Sequence, residues 1–150
     1  MRSLHTLTPH LVVCGADAAA KWYVDVLGAR EHGHRLTAPG GRFMHIELRL
    51  GDCEIAIADE FPEWGVVSPL GVGGTASVLE LKLDNVRPAW DRAVAAGATV
   101  KQPLGEVFWG DLQGQLTDPF GHRWNLSQHL RDVPPLDQQE ALDALFASTA

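Results

Sequence analysis

The side chains best suited to chemistry lie in residues 43–50, Phe-Met-His-Ile-Glu-Leu-Arg-Leu. Apolar and polar residues alternate here with a period of two, which predicts a β-strand. Residues two apart share a strand face, so His45 and Glu47 point one way and Met44 and Ile46 the other. An imidazole beside a carboxylate can hold a metal, relay a proton or meet a polar ligand. The plainer alternative is the wet side of an antiparallel strand. His10, which shares a face with Val12, and Glu80, in the alternating run 78–83, are further candidates. Trp64, Phe108, Trp109 and Trp124 could line an aromatic pocket, although core packing is the more frequent use of any one of them. Trp64, in a Gly/Pro-rich segment, and Trp109, beside Gly110, are best placed to touch a ligand. His32 and His34 alternate on one predicted strand whose faces the sequence does not distinguish. His5 and His129 are expected in solvent, and His122 in a structural role after a turn.

The elements that must position these groups come in two similar series. A short strand at 11–13 is followed by a helix at 17–27, with Ala20, Tyr23, Val24 and Leu27 on one side. Gly28 supplies its C-terminal stop. Strands follow at 29–36, 43–50 and 53–58, the last two joined by a Gly51-Asp52 hairpin. Residues 59–75 hold two prolines and four glycines, show no sustained period and read as a long connection. The plan then restarts: a strand at 78–83, a helix at 86–95 with Pro88 in its first turn, and a strand at 99–102. A strand within 107–117, the turn Asp118-Pro119-Phe120-Gly121 and a strand at 122–127 complete it. Ala96-Gly97-Ala98 ends the second helix as Leu27-Gly28-Ala29 ends the first. The spacing of roughly 70 residues suits a module duplication rather than a solenoid. After Pro134-Pro135, residues 137–147 form an appended helix, expected to pack on the domain or on a partner subunit.

A chain of 150 residues, 45% hydrophobic and 21% charged, suits one globular domain with a sizeable core. The net charge of −7 argues against nucleic acid and permits a cationic ligand. Cys14 and Cys53 form no CxxC pair and read as small core residues in a reduced compartment. No basic-then-apolar leader and no apolar run of about 18 residues is present. A soluble, cytoplasmic protein with no membrane partner is expected.

Several motifs now converge: Thr8-Pro9-His10-Leu11-Val12-Val13, Trp22-Tyr23 followed by Leu27-Gly28-Ala29, and Met44-His45-Ile46-Glu47-Leu48. Further along come Ala58-Asp59-Glu60-Phe61-Pro62, Leu81-Lys82-Leu83-Asp84-Asn85-Val86, Ala93 to Thr99, and Thr117-Asp118-Pro119-Phe120-Gly121-His122-Arg123-Trp124. Over about residues 6–130 the chain resembles the vicinal oxygen chelate superfamily, which includes glyoxalase I, bleomycin and fosfomycin resistance proteins and extradiol dioxygenases. It is most similar to the glyoxalase-like, PhnB-like branch. The resemblance implies an α+β fold: two tandem βαβββ modules whose mixed sheets curl into a cup, plus the C-terminal helix. The corresponding division is a domain at 1–131 (module 6–58, connection 59–75, module 76–130) and an extension at 132–150. It also implies a homodimer, sometimes with exchanged halves, and a small-molecule ligand inside the cup.

Metal-dependent relatives take two ligands from each module. Glu47 matches the ligand carboxylate of the first. The first-strand ligand falls at Thr8, a poor donor, with His10 two residues on and on the same face. In the second module the ligand histidine falls at Val78, with Glu80 two residues on, and the final glutamate falls at Asn125. The resemblance thus implies His10, His45, Glu47 and Glu80 as ligands of Zn²⁺, Mn²⁺ or Fe²⁺, with Asn125 facing the same cup. Two functions follow. One is a metal-dependent enzyme of lyase, isomerase, thiol-transfer or dioxygenase type, in which Glu47 or Glu80 shuttles a proton; glyoxalase I activity itself is not expected. The other is a metal-free protein that sequesters a drug or metabolite between Trp64, Phe108, Trp109 and Trp124. A third reading is an interaction domain assembled through the final helix.

Overall fold

The computed structural model describes residues 5–149. Residues 1–4 and 150, the outer limits of the expected domain and extension, lie outside the described residues. The first module runs β1 (His10–Val13), α1 (Ala16–Leu27), β2 (Arg30–Thr37), β3 (Phe43–Leu50) and β4 (Cys53–Asp59). The connection holds a 3₁₀ turn (Pro62–Trp64) and a single helical turn, α2 (Pro69–Val72). The second module repeats the plan with β5 (Val78–Lys82), α3 (Val86–Ala95), β6 (Thr99–Glu106), β7 (Asp111–Thr117) and β8 (Arg123–His129). The last element is α4 (Pro135–Ala147).

Each module forms one mixed four-stranded sheet, in the orders β1-β4-β3-β2 and β5-β8-β7-β6. β1 pairs in parallel with β4, and β5 with β8, across a crossover helix; the other pairs are antiparallel. The fold is α+β, as expected. Ile46, Leu48, Ile55 and Ile57 of the first sheet and Leu112, Leu116, Trp124 and Leu126 of the second join one hydrophobic core. Burying each such side chain contributes roughly 1.5–3 kcal/mol. The alternate residues therefore lie on the faces turned away from the core, which is where His45 and Glu47 belong.

The modules meet chiefly through α1 and α3. Trp22 Nε1 donates to the Ala96 carbonyl at 2.9 Å, and Arg92 Nε donates to the Val26 carbonyl at 3.0 Å. Trp22 and Arg92, like Val26 and Ala96, stand 70 positions apart, so the seam obeys the period of the duplication. This explains a departure from the expected α1 face. The buried residues are Ala16, Ala19, Ala20, Trp22, Tyr23, Val26 and Leu27, whereas Val24 is exposed. A helix covered by a sheet on one side and a second helix on another buries more than one stripe.

α1 starts at Gly15 with no capping side chain of its own. Asp59, at the end of β4, supplies it: Oδ1 accepts from the Ala16 amide and Oδ2 from the Phe43 amide, each at 2.7 Å. In the second module Asp118 is buried, and its carboxylate accepts from the Tyr23 hydroxyl, Trp124 Nε1 and the amides of Phe120 and His122. It joins α1 to the Asp-Pro-Phe-Gly turn across the two modules. His122 adds another cross-module link, its Nε2 lying 2.9 Å from the Val12 carbonyl.

Two expectations are corrected. Cys14 and Cys53 are free and exposed, because each sits at the edge of its strand where the chain turns. β6 extends to Glu106, past Pro103, and a strand edge tolerates that proline. No residue of α4 is buried, and Leu136, Leu145 and Phe146 are exposed. No helix among the described residues is long and apolar enough to cross a membrane.

Candidate functional site

The register of the first sheet sets His10, Ala56, Glu47 and His32 in one row across β1, β4, β3 and β2. His45 stands two residues along β3, on the same face. Between the histidine strands lies only the methyl of Ala56, so the His10 and His45 rings approach to 5.9 Å between centroids. His45 Nε2 is 3.0 Å from Glu47 Oε1, and His32 Nδ1 is 3.6 Å from Glu47 Oε2. The carboxylate is thus held between two imidazoles on a half-buried face. The hydrogen bond from His45 is the largest cause holding the Glu47 carboxyl below the usual range. Partial burial opposes it, and positive charge on His45 and His32 adds to it. With Glu47 ionised, His45 Nε2 carries the proton, which leaves Nδ1 as the basic nitrogen.

His32 is the residue that sequence reasoning left unassigned. The β2–β3 register shifts between His32 and Leu36, and Gly33 sits in that irregularity with φ +74°. A Cβ at Gly33 would come within 3.1 Å of Glu47 Oε2. Glycine there serves both the bulge and the carboxylate. A glycine between two histidines in a predicted strand was the available signal. Glu54 completes the face: it accepts from Arg49 at 2.7 Å and lies 3.5 Å from His32 Nε2.

The second sheet carries different groups. Glu80, Asn125, Gln115 and Gln102 share one row. Asn125 Oδ1 accepts from Gln115 Nε2 at 2.9 Å, and Ser127 Oγ donates to Glu80 Oε1 at 3.3 Å. A neighbouring row joins Val78, Arg123, Thr117 and Thr99. Glu80 and Asn125 therefore sit among amides and hydroxyls, apart from the histidines.

The aromatic candidates divide. Trp64 is 66% exposed and stacks on Phe61, with the Arg42 guanidinium 4.2 Å above the Phe61 ring. Phe108 and Trp109 pack edge to face at 4.8 Å in the β6–β7 hairpin. Trp124 is 3% exposed, packs on Tyr23 and is bound to Asp118, while its edge reaches a cavity of about 770 Å³ beside β5.

Of the implied metal ligands, the structure brings His10, His45 and Glu47 to one face and leaves Glu80 on the other sheet. Among the described residues, no three His, Cys, Asp or Glu side chains converge as a metal site requires. The donor set of one chain does not fit a resident Zn²⁺, Mn²⁺ or Fe²⁺.

Comparisons with known proteins agree with this architecture. An uncharacterized Mycobacterium tuberculosis protein, Rv0887c, is 36% identical over 141 residues, covering 92% of this chain and 82% of that protein. A Mycobacterium bovis relative, the uncharacterized protein Mb0911c, has the same identity and covers 92% of both. Among solved structures, TioX from Micromonospora sp. ML1 superposes with a TM-score of 0.63 at 25% identity, covering 87% of this chain and all of that one. The fosfomycin resistance protein FosX from Listeria monocytogenes shares the fold, with a TM-score of 0.62 at 14% identity over 89% of this chain and 97% of its own. The pattern of the glyoxalase/bleomycin resistance protein/dioxygenase superfamily matches residues 2–126. With two βαβββ modules, their motifs and this match in hand, the chain belongs to the glyoxalase/bleomycin resistance protein/dioxygenase superfamily.

Proposed function

We propose that this chain is a glyoxalase-like enzyme that takes a small molecule onto the open face of its first sheet and moves a proton there with the His45–Glu47 pair. The observation that carries this reading is the Glu47 carboxylate held between His45 and His32, with His10 beside them. Glu47 fixes the imidazole tautomer and stabilises the imidazolium that forms when His45 takes a proton. Carbonyl compounds, epoxides and catechols are the substrate classes to screen, because proton transfer next to oxygen is their shared demand. Glu80 offers a second carboxylate, poised by Ser127. A divalent metal, when bound, would polarise such oxygens. One chain does not assemble its ligands, so the steps above use none. A homodimer, which the family resemblance implies, belongs to the same reading.

The second reading is a metal-free sequestering protein. The exposed Trp64 ring, stacked on the buried Phe61, supports it, because a flat aromatic platform suits ligand capture without turnover. The test is a panel of carbonyl, epoxide and catechol compounds followed by NMR, with elemental analysis after incubation with Zn²⁺, Mn²⁺ or Fe²⁺. Turnover by the wild type and its loss in Glu47→Gln is the expected result. Saturable binding with no turnover of any compound would overturn the enzyme reading in favour of sequestration.

A further inference from the structure

The chain carries a net charge of −7, yet one of its cavities has no acid in its wall. This cavity, of about 640 Å³, lies between the connection and the ends of β6, β7 and β8. Lys101, Arg123, Thr75, Thr99 and Thr117 line it. Neither Lys101 nor Arg123 takes part in an ion pair among the described residues. We propose that this cavity is a binding site for a small oxyanion, a carboxylate or phosphate-type group, held by Arg123 and Lys101 and by the threonine hydroxyls.

The local structure is built for such a group. Thr99, Thr117 and Arg123 stand side by side in the sheet register. Lys101, two residues along β6 from Thr99, lines the same wall, and the register shift between Val100 and Gln102 makes it the extra residue of a bulge. Arg123 does not swing freely: its Nη2 donates to Gln115 Oε1 at 2.5 Å, and Gln115 is fixed in turn by Asn125. This leaves the other guanidinium nitrogen as a free donor. Arg123 Nε and Thr117 Oγ1, directly across the ladder, are both buried without a hydrogen-bond partner. Groups buried without a partner are unfavourable unless a ligand satisfies them. An oxyanion bound at this wall supplies the missing acceptors after a turn of the hydroxyl and a small guanidinium shift. A planar guanidinium, a mobile ammonium and hydroxyl donors in a partly desolvated hollow are the chemistry of oxyanion recognition. The same hollow does not suit a cation, which reverses for this site the cationic preference that the net charge suggests.

The cavity does not end at Arg123. It shares Pro69, Gly74, Thr75 and Arg123 with a second space of about 420 Å³ that His10, Val12 and His122 also line. A ligand anchored by its anionic end at Arg123 extends toward the histidines of the first sheet. That extension rests on the proposed function; the anion site does not.

The experiment is an NMR titration of the ¹⁵N-labelled full chain with inorganic phosphate and, separately, with acetate. Each is compared with sodium chloride at matched ionic strength. The amides of Thr117, Gly121 and Arg123 and the Nε–H of Arg123 are followed. Saturable shifts with phosphate, acetate or both, absent with chloride, are expected, and the stronger of the two identifies the type of anion. Lys101→Gln and Arg123→Gln should each weaken binding about tenfold, the equivalent of one charge-assisted hydrogen bond. Shifts that grow without saturation in every salt overturn the proposal. So does an unchanged affinity in Lys101→Gln, whose exposed side chain holds nothing in the fold and whose variant therefore folds even if Arg123→Gln does not. The titration reads neither turnover nor Glu47, so its failure and that of the proposed function are separable.

Discussion

The two sheets share a topology but not a chemistry. The open face of the first carries His10, His32, His45, Glu47 and Glu54 around one small alanine. That of the second carries Gln102, Gln115, Asn125, Thr117 and Arg123, with Glu80 the single carboxylate of its row. The first sets imidazoles beside carboxylates, and the second sets amides, hydroxyls and a guanidinium into fixed hydrogen bonds. Their supports differ as well. The β7–β8 turn is tied down from within by the buried carboxylate of Asp118, whereas the matching position of the β2–β3 turn is Ala38, and that turn is held from outside by Asp59 on the Phe43 amide and by Glu63 on Arg42. Duplication has kept the frame and assigned the reactive groups to one half and the fixed donors to the other.

The sharpest way to break this contrast is Asp118→Ala. It strands the Tyr23 hydroxyl and Trp124 Nε1 in the core and should cost about 2–4 kcal/mol in urea unfolding. A loss below about 0.5 kcal/mol would mean the two turns are supported alike. Next come the glycines of the two bulged strands. Gly33→Ala forces a side chain into a positive φ and against Glu47, and should lose about 1–2 kcal/mol together with turnover. Gly105→Ala, with open space around it and no positive φ, should stay within about 0.5 kcal/mol of wild type. Equal losses would remove the special standing of the first sheet.

Charge removal on the two faces should affect different quantities. Glu47→Gln should abolish turnover with little change in melting temperature, while phosphate or acetate binding at Arg123 persists. Loss of both together would show that the faces act as one. The smallest effect is on pH dependence. Glu47 has a lowered pKa, so its contribution to stability is present above the ordinary glutamate value of about 4.3 and fades as pH falls through the lowered one. His129 is raised, first by its hydrogen bond to Asp111 and then by that to Asp132. Its contribution is complete below the ordinary histidine value of about 6.5 and fades as pH rises through the raised one. Melting curves of Glu47→Gln should lose the acid-side slope, and those of Asp111→Asn part of the alkaline-side slope. Both groups are exposed enough that the slopes are shallow.

Much of the frame was legible in the alternation of residues 43–50, the paired Leu-Gly-Ala and Ala-Gly-Ala helix ends and the repeat near 70, because period and punctuation are local properties. The shared face of His45 and Glu47 was legible for the same reason. His32 was not, since the irregularity at Gly33 decides its direction, and parity counting fails across a bulge. The grouping of Arg123 with Thr117 and Thr99 depends on a register between three strands, which no single run of sequence carries. The separation of Glu80 from His10 and Glu47 is a matter of how two modules dock, and the determinants of that docking, Trp22 and Arg92, look like ordinary helix residues until paired with Ala96 and Val26.

That docking seam has a consequence for protein engineering. Each half presents the other with the same offer, an indole or guanidinium N–H reaching for a helix-end carbonyl, so each carries a complementary coupling. A cut between Gly73 and Gly74, both in the positive-φ backbone of the connection, would leave two fragments with matched seams, and the chain is a ready starting point for a split protein whose pieces reassemble on co-expression.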